Sequence, residues 1–285
     1  MAVKVVTDSS ARLPADLIET WGIDVVPLHI LVDGTDLRDG VDEVPADIHE
    51  RHATTAGATP TELCAAYERA LAASGGDGVV AVHISAALSG TVGAANQAAE
   101  QLGRGVVVVD SRSAAMGTGF VALAAARSAA AGADLDTVAA EARSAVQRGH
   151  SYIVVHRLDN LRRSGRIGRG TSWLGTALSL KPLLRIDDGK LVLAQRVRTA
   201  TKAVSAMLDQ VCLLAGDRPV GIAVHHVDNP SGAAEFAEQL RDRLPACVDP
   251  IIVTELGPVL ALHVGAGAIA VSLDVPDEKP HSQPE

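Results

Sequence analysis

The sequence predicts an α/β protein of two domains, an N-terminal mostly parallel sheet flanked by helices and a C-terminal α+β domain. The chain has 285 residues, more than one hydrophobic core usually supports. Its first half alternates Val-rich runs with longer Ala-rich segments, the rhythm of parallel strands joined by helices. After residue 149 the rhythm changes, and an Asp-Asp-Gly turn separates two apolar runs, which indicates a hairpin. We therefore place the domains at residues 1–150 and 151–275, followed by a Pro- and charge-rich tail, 276–285, that we expect to be disordered.

The first half contains strand and helix signals in alternation. The apolar runs predict strands at 3–6, 25–32, 79–84 and 105–109, and the polar segment 33–42 reads as turns. Helices are predicted at 14–21, 61–73, 91–102, 114–131 and 135–148. Thr59-Pro60, with Glu62 in the first turn, is a typical helix start, because the hydroxyl caps and the carboxylate faces the positive end. Pro27 is compatible with a strand only near a sheet edge, because it has no N–H to donate.

The second half begins with a predicted strand at 152–155 and a basic, turn-rich segment at 161–170. The hairpin follows, with strands at 183–186 and 191–193, and then elements predicted as helix 201–214, strand 220–225, helix 229–244 and strand 251–254. The apolar stretch 259–273 contains His263 and several glycines and is too short to cross a bilayer. We therefore expect no stable membrane insertion.

Composition excludes several classes of partner and site. Lys and Arg total 25 against 34 Asp and Glu, and aromatic residues make up 2% of the chain, which argues against nucleic-acid binding. The three cysteines, Cys64, Cys212 and Cys247, form no disulfide or metal pattern and suit a reducing compartment. Without a leader sequence, this predicts a cytoplasmic protein. His225 and His226 are adjacent on a strand and point to opposite faces, so we expect no metal site and no cofactor.

Small hydroxyl residues follow three of the predicted strands. Ser89-Gly90-Thr91 comes shortly after 79–84, Thr7-Asp8-Ser9-Ser10 lies at the end of 3–6, and Asp110-Ser111 follows 105–109. The carboxyl ends of parallel strands meet at one sheet edge, and the first N–H groups of a helix attract anions. The sequence therefore predicts a polar, anion-holding cleft at this edge.

The residues alone leave the roles of Ser89 and His263 open. Ser89 is a helix cap, a ligand-binding hydroxyl or a nucleophile, although Leu-Ser-Gly-Thr is not the Gly-x-Ser-x-Gly turn of α/β-hydrolases. His263 is a hydrogen-bonded core residue or faces a ligand, and a hydrolase would pair it with Asp8 or Asp110.

The basic residues of the second half also have two readings. The arginines of 162–169, with Arg196 and Arg198, are solvated or capture a carboxylate or phosphate. A nucleotide site is poorly supported, because neither a Walker loop nor a Gly-x-Gly-x-x-Gly turn follows a strand.

Eight segments, in order and spread over nearly the whole chain, resemble the DegV family of fatty-acid-binding proteins. They are Val6-Thr7-Asp8-Ser9-Ser10; Ile84-Ser85 with Leu88-Ser89-Gly90-Thr91; Val109-Asp110-Ser111-Arg112-Ser113-Ala114-Ala115-Met116-Gly117; Leu161-Arg162-Arg163-Ser164-Gly165-Arg166-Ile167; Leu180-Lys181-Pro182; Asp188-Gly189-Lys190; Val197-Arg198-Thr199; and Gly257-Pro258 through His263. Each segment alone is weak evidence, whereas eight in the same order are strong evidence.

The resemblance implies a two-domain protein that encloses one long-chain fatty acid between its domains. Members of the family include the acyl-carrying partner of bacterial fatty acid kinase, which presents the carboxylate to a separate kinase subunit. The resemblance therefore implies a non-catalytic lipid carrier, with a fatty acid as ligand, a kinase subunit as partner and a role in phospholipid metabolism. The alternatives are an esterase or thioesterase that uses Ser89 and His263, and a regulatory sensor of lipid supply.

The resemblance also assigns the site. Thr55, Ser89 and His263 match the residues that hold the head group, and we add Gly90 and Thr91 from the helix start. The stretch Thr55–Thr59 lacks the serine and glutamine of the family pattern, so we expect a different polar shell. Arg166 and Arg198 match arginines near the head-group end and are expected to contact the phosphate or the kinase.

Overall fold

The computed structural model describes residues 2–48, 51–167, 181–244 and 250–276. Within them the strands are β1 Lys4–Asp8, β2 Ile23–Val26, β3 His29–Val32, β4 Thr35–Arg38, β5 Ala53–Ala56, β6 Val79–His83, β7 Val106–Asp110, β8 Gly149–Val154, β9 Lys181–Asp187, β10 Lys190–Val197, β11 Gly221–His226, β12 Ile252–Glu255 and β13 Ile269–Asp274. The helices are α1 Ala15–Trp21, α2 Pro60–Ser74, α3 Thr91–Leu102, α4 Met116–Ala130, α5 Leu135–Arg148, α6 Asp159–Ser164, α7 Ala200–Ala215, α8 Pro230–Arg243 and α9 Gly257–Val264. Residues 277–285, in the tail that we predict to be disordered, lie outside the described residues. So do residues 168–180 and Cys247.

The first sheet is parallel throughout, with strand order β2-β1-β6-β7. Its central strands are buried on both faces: Val80 and Val82 pack under α4 and α5, whereas Val79 and Ala81 pack under α2 and α3. A strand covered on both faces is apolar along its whole length, which is why the sequence shows continuous Val-rich runs here. This arrangement confirms the predicted N-terminal sheet flanked by helices.

A separate three-stranded antiparallel sheet, β4-β3-β5, corrects two predictions. The run 25–32 was expected to be one strand, but the chain breaks at Pro27-Leu28, so that β2 and β3 join different sheets. The polar segment 33–42, expected to form turns, contains β4. The reason is that β4 and β5 pair with β3 through backbone bonds, while their sequences, Thr-Asp-Leu-Arg and Ala-Thr-Thr-Ala, show no clear apolar alternation.

The second sheet is mixed, with strand order β10-β9-β8-β13-β11-β12. Its pairs are antiparallel except for β11 and β12, and the hairpin β9–β10 turns at Asp188-Gly189 as the sequence predicts. Helices α7 and α8 cover one face of this sheet. The chain therefore has the predicted fold class, a parallel α/β sheet followed by an α+β part with a mixed sheet.

Helix α4 lies between the two sheets and contacts β1 and β6 on one side and β8 and β13 on the other. Up to its last turn, where Arg127 is exposed, it is mostly apolar on every side, as expected of a helix covered on all sides. Helix α5 also touches strands of both sheets, β6, β7 and β13. The domain boundary at residue 150 stays a prediction. No helix in the described parts of the chain is both long and apolar enough to span a bilayer.

Candidate functional site

A cavity of about 140 Å³ lies where the carboxyl end of the first sheet, strand β5 and the second sheet meet. We call this cavity the slot. Its aliphatic lining residues are Leu28, Ala56, Ile84, Leu88, Ala114, Ala115, Ile153, Leu161, Ile186, Leu191, Leu256, Val259, Leu260, Val264, Ala270 and Val271. Thr55, Ser89, Gly90, Arg166 and His263, all predicted site residues, also line it. The slot therefore joins aliphatic walls to a polar group of predicted site residues.

Thr55 and His263 form a hydrogen-bonded pair, although 208 residues separate them in the chain. Thr55 lies on β5 and His263 lies on α9, and Thr55 Oγ1 is 2.8 Å from His263 Nε2. Burial lowers the pKa of His263 to about 4, with a further contribution from the nearby positive charge of Arg166. The imidazole is therefore neutral at pH 7.

The Thr55–His263 pair has one proton left for a ligand. A neutral imidazole carries one N–H and the threonine carries one O–H, and only one of these two protons is used between them. His263 Nδ1 is buried and has no hydrogen-bond partner among the described residues. Because buried polar atoms are normally satisfied, this pair fits an anionic ligand that accepts the spare proton.

Ser89 and Thr91 form a second pair at the same end of the slot. Ser89 Oγ is 2.8 Å from Thr91 Oγ1, and it also accepts the Thr91 backbone N–H at 3.3 Å. Two hydroxyl protons are again present and one is used between them, so the pair can donate one to a ligand. Gly90 lines the slot beside Ser89, whereas Thr91 is completely buried behind it. The two pairs together offer two donors, one for each oxygen of a carboxylate.

Gly57 brings these two pairs together, and the sequence did not single it out as a site residue. A Cβ at this position would be 2.7 Å from Thr91 Oγ1 and 3.3 Å from Ser89 Oγ. The backbone after β5 therefore rests directly on the Ser89–Thr91 pair, which only glycine permits. A glycine just before a helix start, within a stretch that departs from the family pattern, was the available signal.

The two predicted arginines lie in different places. Arg166 is half-buried, lines the slot and donates from Nε to the Leu88 carbonyl at 3.3 Å, so it ties the second half of the chain to the Ser89 loop. Arg198 is exposed just beyond β10 and is absent from the described lining of the slot. Of these two arginines, Arg166 is the one that lines the slot with the head-group residues.

A second cavity of about 370 Å³ shares Thr55, Arg166 and His263 with the slot. Arg51 and Arg163 line it as well, and its described lining contains no carboxylate. Three guanidinium groups line this cavity. Arg51 is paired with Asp47, so Arg163 and Arg166 supply most of the positive charge that would attract an anion in a chain of net charge −9. The polar end of the slot therefore opens towards a positively charged cavity.

The carboxyl end of β1 has no room for a ligand, because a buried hydrogen-bonded cluster around Asp8 fills it; we call this the closed cluster. Asp8 accepts hydrogen bonds from His83 Nδ1 at 3.0 Å and from the N–H groups of Ile84 and Ser10 at 2.9 and 3.1 Å. His83 Nε2 in turn bonds the hydroxyl of Tyr67 at 2.7 Å, and the whole cluster is buried. Burial raises the pKa of the Tyr67 hydroxyl, with a further contribution from the charge of Asp8. The prediction of an anion-holding cleft is therefore wrong for this strand end, because the chain supplies its own carboxylate there.

The geometry for a serine nucleophile differs from what the hydrolase alternative requires. His263 Nε2 bonds Thr55 and not Ser89, and Asp8, one of its two suggested partners, bonds His83. Asp110 accepts from the N–H groups of Ala86 and Arg112. His225, completely buried, accepts the N–H of Met116 through Nε2, and burial lowers its pKa to about 3. The described residues contain no cluster that could hold a metal ion.

Comparisons with known proteins agree with the resemblance. The family model described as "Uncharacterised protein, DegV family" matches residues 2–275. The DegV domain-containing protein Rv2417c of Mycobacterium tuberculosis is 67% identical over 275 residues, which cover 96% of this chain and 98% of that protein.

Two solved structures have the same fold over nearly the whole chain. A DegV family protein from Thermus thermophilus, described for its fatty acid binding, is 31% identical with a TM-score of 0.90, covering 97% of this chain and 100% of its own. The DegV family protein Cg2579 from Corynebacterium glutamicum is 34% identical with a TM-score of 0.86, covering 98% and 100%. The chain therefore belongs to the DegV family.

Proposed function

We propose that the protein binds one long-chain fatty acid in the slot and presents its carboxylate to a fatty acid kinase partner. The observation that carries this proposal is the pair of spare protons at one end of an aliphatic cavity, one from Thr55–His263 and one from Ser89–Thr91. A buried carboxylate is costly unless it is hydrogen-bonded, and these donors can satisfy both of its oxygens. The Thermus thermophilus relative, described for fatty acid binding, supports the same ligand class.

The aliphatic walls supply the affinity. Each methylene transferred from water to an apolar environment contributes about 0.8 kcal/mol, so a long acyl chain outweighs the two head-group hydrogen bonds. The head group then fixes orientation, with the carboxylate at Thr55 and Ser89 and the chain directed between the two sheets.

The arginine-lined cavity supports delivery to a kinase. It adjoins the proposed carboxylate position through Thr55, Arg166 and His263, and its charge suits the phosphoryl group that a kinase transfers. In this proposal Arg166 acts at the head group, and the exposed Arg198 acts at the contact with the kinase.

Organic extraction and native mass spectrometry of the purified protein test the ligand. We expect a long-chain fatty acid, and protein that carries none and binds none after addition contradicts the proposal. Ser89→Ala combined with His263→Ala should weaken fatty acid binding about 100-fold through the loss of two hydrogen bonds to a charged group. Arg198→Gln is the control, because its side chain stands outside the slot.

Acyl phosphate formation with ATP and a purified bacterial fatty acid kinase subunit tests delivery. Arg166→Gln should lower both fatty acid affinity and phosphorylation. Arg198→Gln should leave the affinity for fatty acid unchanged and raise the KM for the carrier. Bound fatty acid that no kinase phosphorylates would leave the ligand assignment intact and remove the kinase from the proposal.

A fluorophosphonate probe separates the carrier from the hydrolase. The geometry favours the carrier, because His263 has a pKa of about 4 and its Nε2 bonds Thr55. We expect no labelling of Ser89; labelling that Ser89→Ala abolishes would instead identify an esterase or thioesterase.

A further inference from the structure

Helix α9, which carries His263 in its last turn, begins without a capping side chain. Its N-cap residue is Leu256, which makes no side-chain hydrogen bond to the first turn. Arg12, from the segment after β1, lies against this start instead, and its Nε donates to the Glu255 carbonyl at 3.1 Å. A side chain from the first half of the molecule therefore holds the end of β12, where the chain enters α9.

Gly257, the first residue of α9, makes room for the Arg12 side chain. A Cβ on Gly257 would lie 2.8 Å from Arg12 Nε and closer still to Cζ and Nη1, and the φ of +73° also favours glycine. Arg12 is itself in the left-handed region, with a φ of 52°, and its backbone N–H donates to the Ser9 carbonyl at 3.4 Å. A backbone conformation that is unfavourable outside glycine is thus kept at the residue whose side chain reaches α9.

Asp39 offsets the charge of Arg12 beside the start of this helix. A cation there is unfavourable, because the free N–H groups of the first turn carry partial positive charge. Asp39 Oδ1 is 3.7 Å from Arg12 Nη1, and the buried Asp39 side chain leaves Oδ2 without a hydrogen-bond partner among the described residues. Burial raises the pKa of Asp39, and the charge of Arg12 opposes this rise. The two residues therefore form an ion pair that allows a guanidinium at the start of α9.

Polar contacts connect α9 to the three-stranded sheet β4-β3-β5 near both ends of the helix. At its start, Arg12 lies between Gly257 and Asp39, and Asp39 comes directly after β4. Near its end, His263 bonds Thr55 of β5 at 2.8 Å. The helix between Gly257 and His263 is only about 9 Å long at a rise of about 1.5 Å per residue. Because so short a helix moves as one body, a shift at its start also displaces His263.

We propose that Arg12 is a positioning residue for the head-group site. It fixes the start of α9, with Asp39 as its counter-ion, so that His263 near the other end of the helix meets Thr55 and the ligand carboxylate. This inference rests on the proposed function, because it assumes that the carboxylate lies beside His263. Arg12 is absent from the described lining of the slot, so it acts on the ligand through His263.

A double-mutant cycle on fatty acid binding tests whether Arg12 acts through His263. Arg12→Gln is combined with Asp39→Asn, so that this paired variant leaves no buried charge without its partner. Delipidated protein is titrated calorimetrically with palmitic acid. The paired variant should bind about fivefold more weakly than the wild type, but less than twofold more weakly when His263→Ala is already present, because effects that pass through one residue do not add. An equal loss in both backgrounds, or no loss in either, overturns the positioning role.

NMR titration of the His263 ring gives a second readout that needs no ligand. Burial and the charge of Arg166 lower the pKa of His263, and the charge of Arg12 is not among the causes. Loss of Arg12 therefore changes this pKa only if the ring moves. In the ligand-free paired variant the pKa of His263 should rise from about 4 towards the ordinary value of about 6.5, as the ring becomes less buried. A pKa that stays at about 4 overturns the positioning role.

The matched control removes a similar ion pair elsewhere. Arg148 of α5 bonds Asp274 of β13 at 3.1 Å, the two side chains are 14% and 17% exposed, and neither belongs to the described lining of the slot. Arg148→Gln combined with Asp274→Asn should leave both the affinity for palmitic acid and the pKa of His263 unchanged. If this control weakens binding as much as the paired variant does, general loss of stability explains both results and the positioning role is overturned.

A milder variant and the wild type complete the experiment. Arg12→Lys keeps a charge beside Asp39 without the planar group and gives the same two readouts if the paired variant does not fold. If palmitic acid binds to none of the proteins, the wild type included, the proposed function fails, and the ring titration alone decides whether Arg12 positions His263.

Discussion

Two neighbouring strands of the first sheet end in small hydroxyl residues, yet they have different roles. After β1, the carboxylate of Asp8 accepts from His83, Ile84 and Ser10, and the cluster is closed. Beyond β6, Ser89 and Thr91 face a cavity with His263 nearby, and among the described residues no carboxylate lines it. Each place combines a histidine with hydroxyls, but only the first contains its own anion.

This difference teaches how a sequence motif becomes a binding site. Hydroxyls and helix starts after a strand supply donors, and donors attract a carboxylate from whichever source is closest. Where the chain supplies the carboxylate, the result is a buried structural cluster. Where the chain leaves the donors unpaired, the carboxylate has to come from a ligand.

The largest effect on stability is expected from a substitution that breaks the closed cluster around Asp8. Asp8→Ala removes the acceptor of four hydrogen bonds and leaves buried donors on His83 and Ile84 unpaired. We expect the free energy of unfolding to fall by about 3 kcal/mol, since each buried donor without a partner costs on the order of 1–3 kcal/mol. Urea unfolding measures this loss.

The control for this prediction is Asp24→Ala, which removes an exposed carboxylate from the adjacent strand β2. It should change the free energy of unfolding by less than about 0.5 kcal/mol. Equal effects of the two substitutions would mean that Asp8 does not hold the end of β6 in place.

A second substitution disturbs the backbone at the end of the slot that contains Thr55, Ser89, Thr91 and His263, which we call the open end. Gly57→Ala places a Cβ 2.7 Å from Thr91 Oγ1, so the loop after β5 has to move away from the Ser89–Thr91 pair. We expect a loss of about 1–2 kcal/mol in the free energy of unfolding, typical of overpacking, together with weaker fatty acid binding. Calorimetric titration and urea unfolding measure the two effects.

Gly93→Ala is the matched control. Gly93 is exposed on α3 and outside the described lining of the slot, and nothing lies within 4 Å of its Cβ position. Alanine there should be tolerated in both measurements. If Gly57→Ala is tolerated equally well, then close packing at Gly57 does not join the two hydroxyl pairs.

Ser89→Ala is the counterpart of Asp8→Ala at the open end. It should lower fatty acid affinity while changing the free energy of unfolding little. The Ser89 hydroxyl is paired only with Thr91 among the described residues, so the free energy of unfolding should fall by less than about 1 kcal/mol. Fatty acid affinity should fall about tenfold, the value of one hydrogen bond to a charged group. A variant that loses stability but keeps its affinity would place Ser89 among structural residues.

The sequence predicted the regular elements well where local signals and burial agree. Helix α3 spans 91–102 and α5 spans 135–148 as expected, and α2 has the capping box of Thr59 and Glu62. Caps are local, so they can be identified without the rest of the fold. Strand β5, by contrast, was missed because its stability comes from pairing with β3, and Ala-Thr-Thr-Ala carries no pattern of its own.

The site was less accessible to prediction from the residues themselves. Ser89 is next to a helix start, and its local signal was sufficient to identify it as a candidate. The contact between Thr55 and His263 joins residues 208 positions apart, so only the family resemblance brought them together. Gly57 was missed, because close approach of backbone and side chain depends on the packed structure.

The smallest expected effect is a pH dependence that belongs to the open end. His263 has a pKa of about 4 in the folded, ligand-free protein and about 6.5 in the unfolded chain. Between these values the unfolded state takes up a proton that the folded state does not. The contribution of His263 to the free energy of unfolding therefore becomes more unfavourable as the pH falls from about 6.5 towards 4.

Urea unfolding of delipidated protein at pH 7.5 and at pH 5 measures this contribution, with His263→Gln as the comparison. The loss of stability at the lower pH should be smaller in the variant by about 1 kcal/mol, after allowance for the partial exposure of the imidazole. His225 also has a lowered pKa, but it is present in both proteins and cancels in the difference. A bound fatty acid places a negative charge beside His263, raises its pKa and should reduce the pH dependence of the wild type. If bound fatty acid leaves the pH dependence unchanged, then the ligand carboxylate does not lie beside His263 in the way that the Asp8 carboxylate lies beside His83.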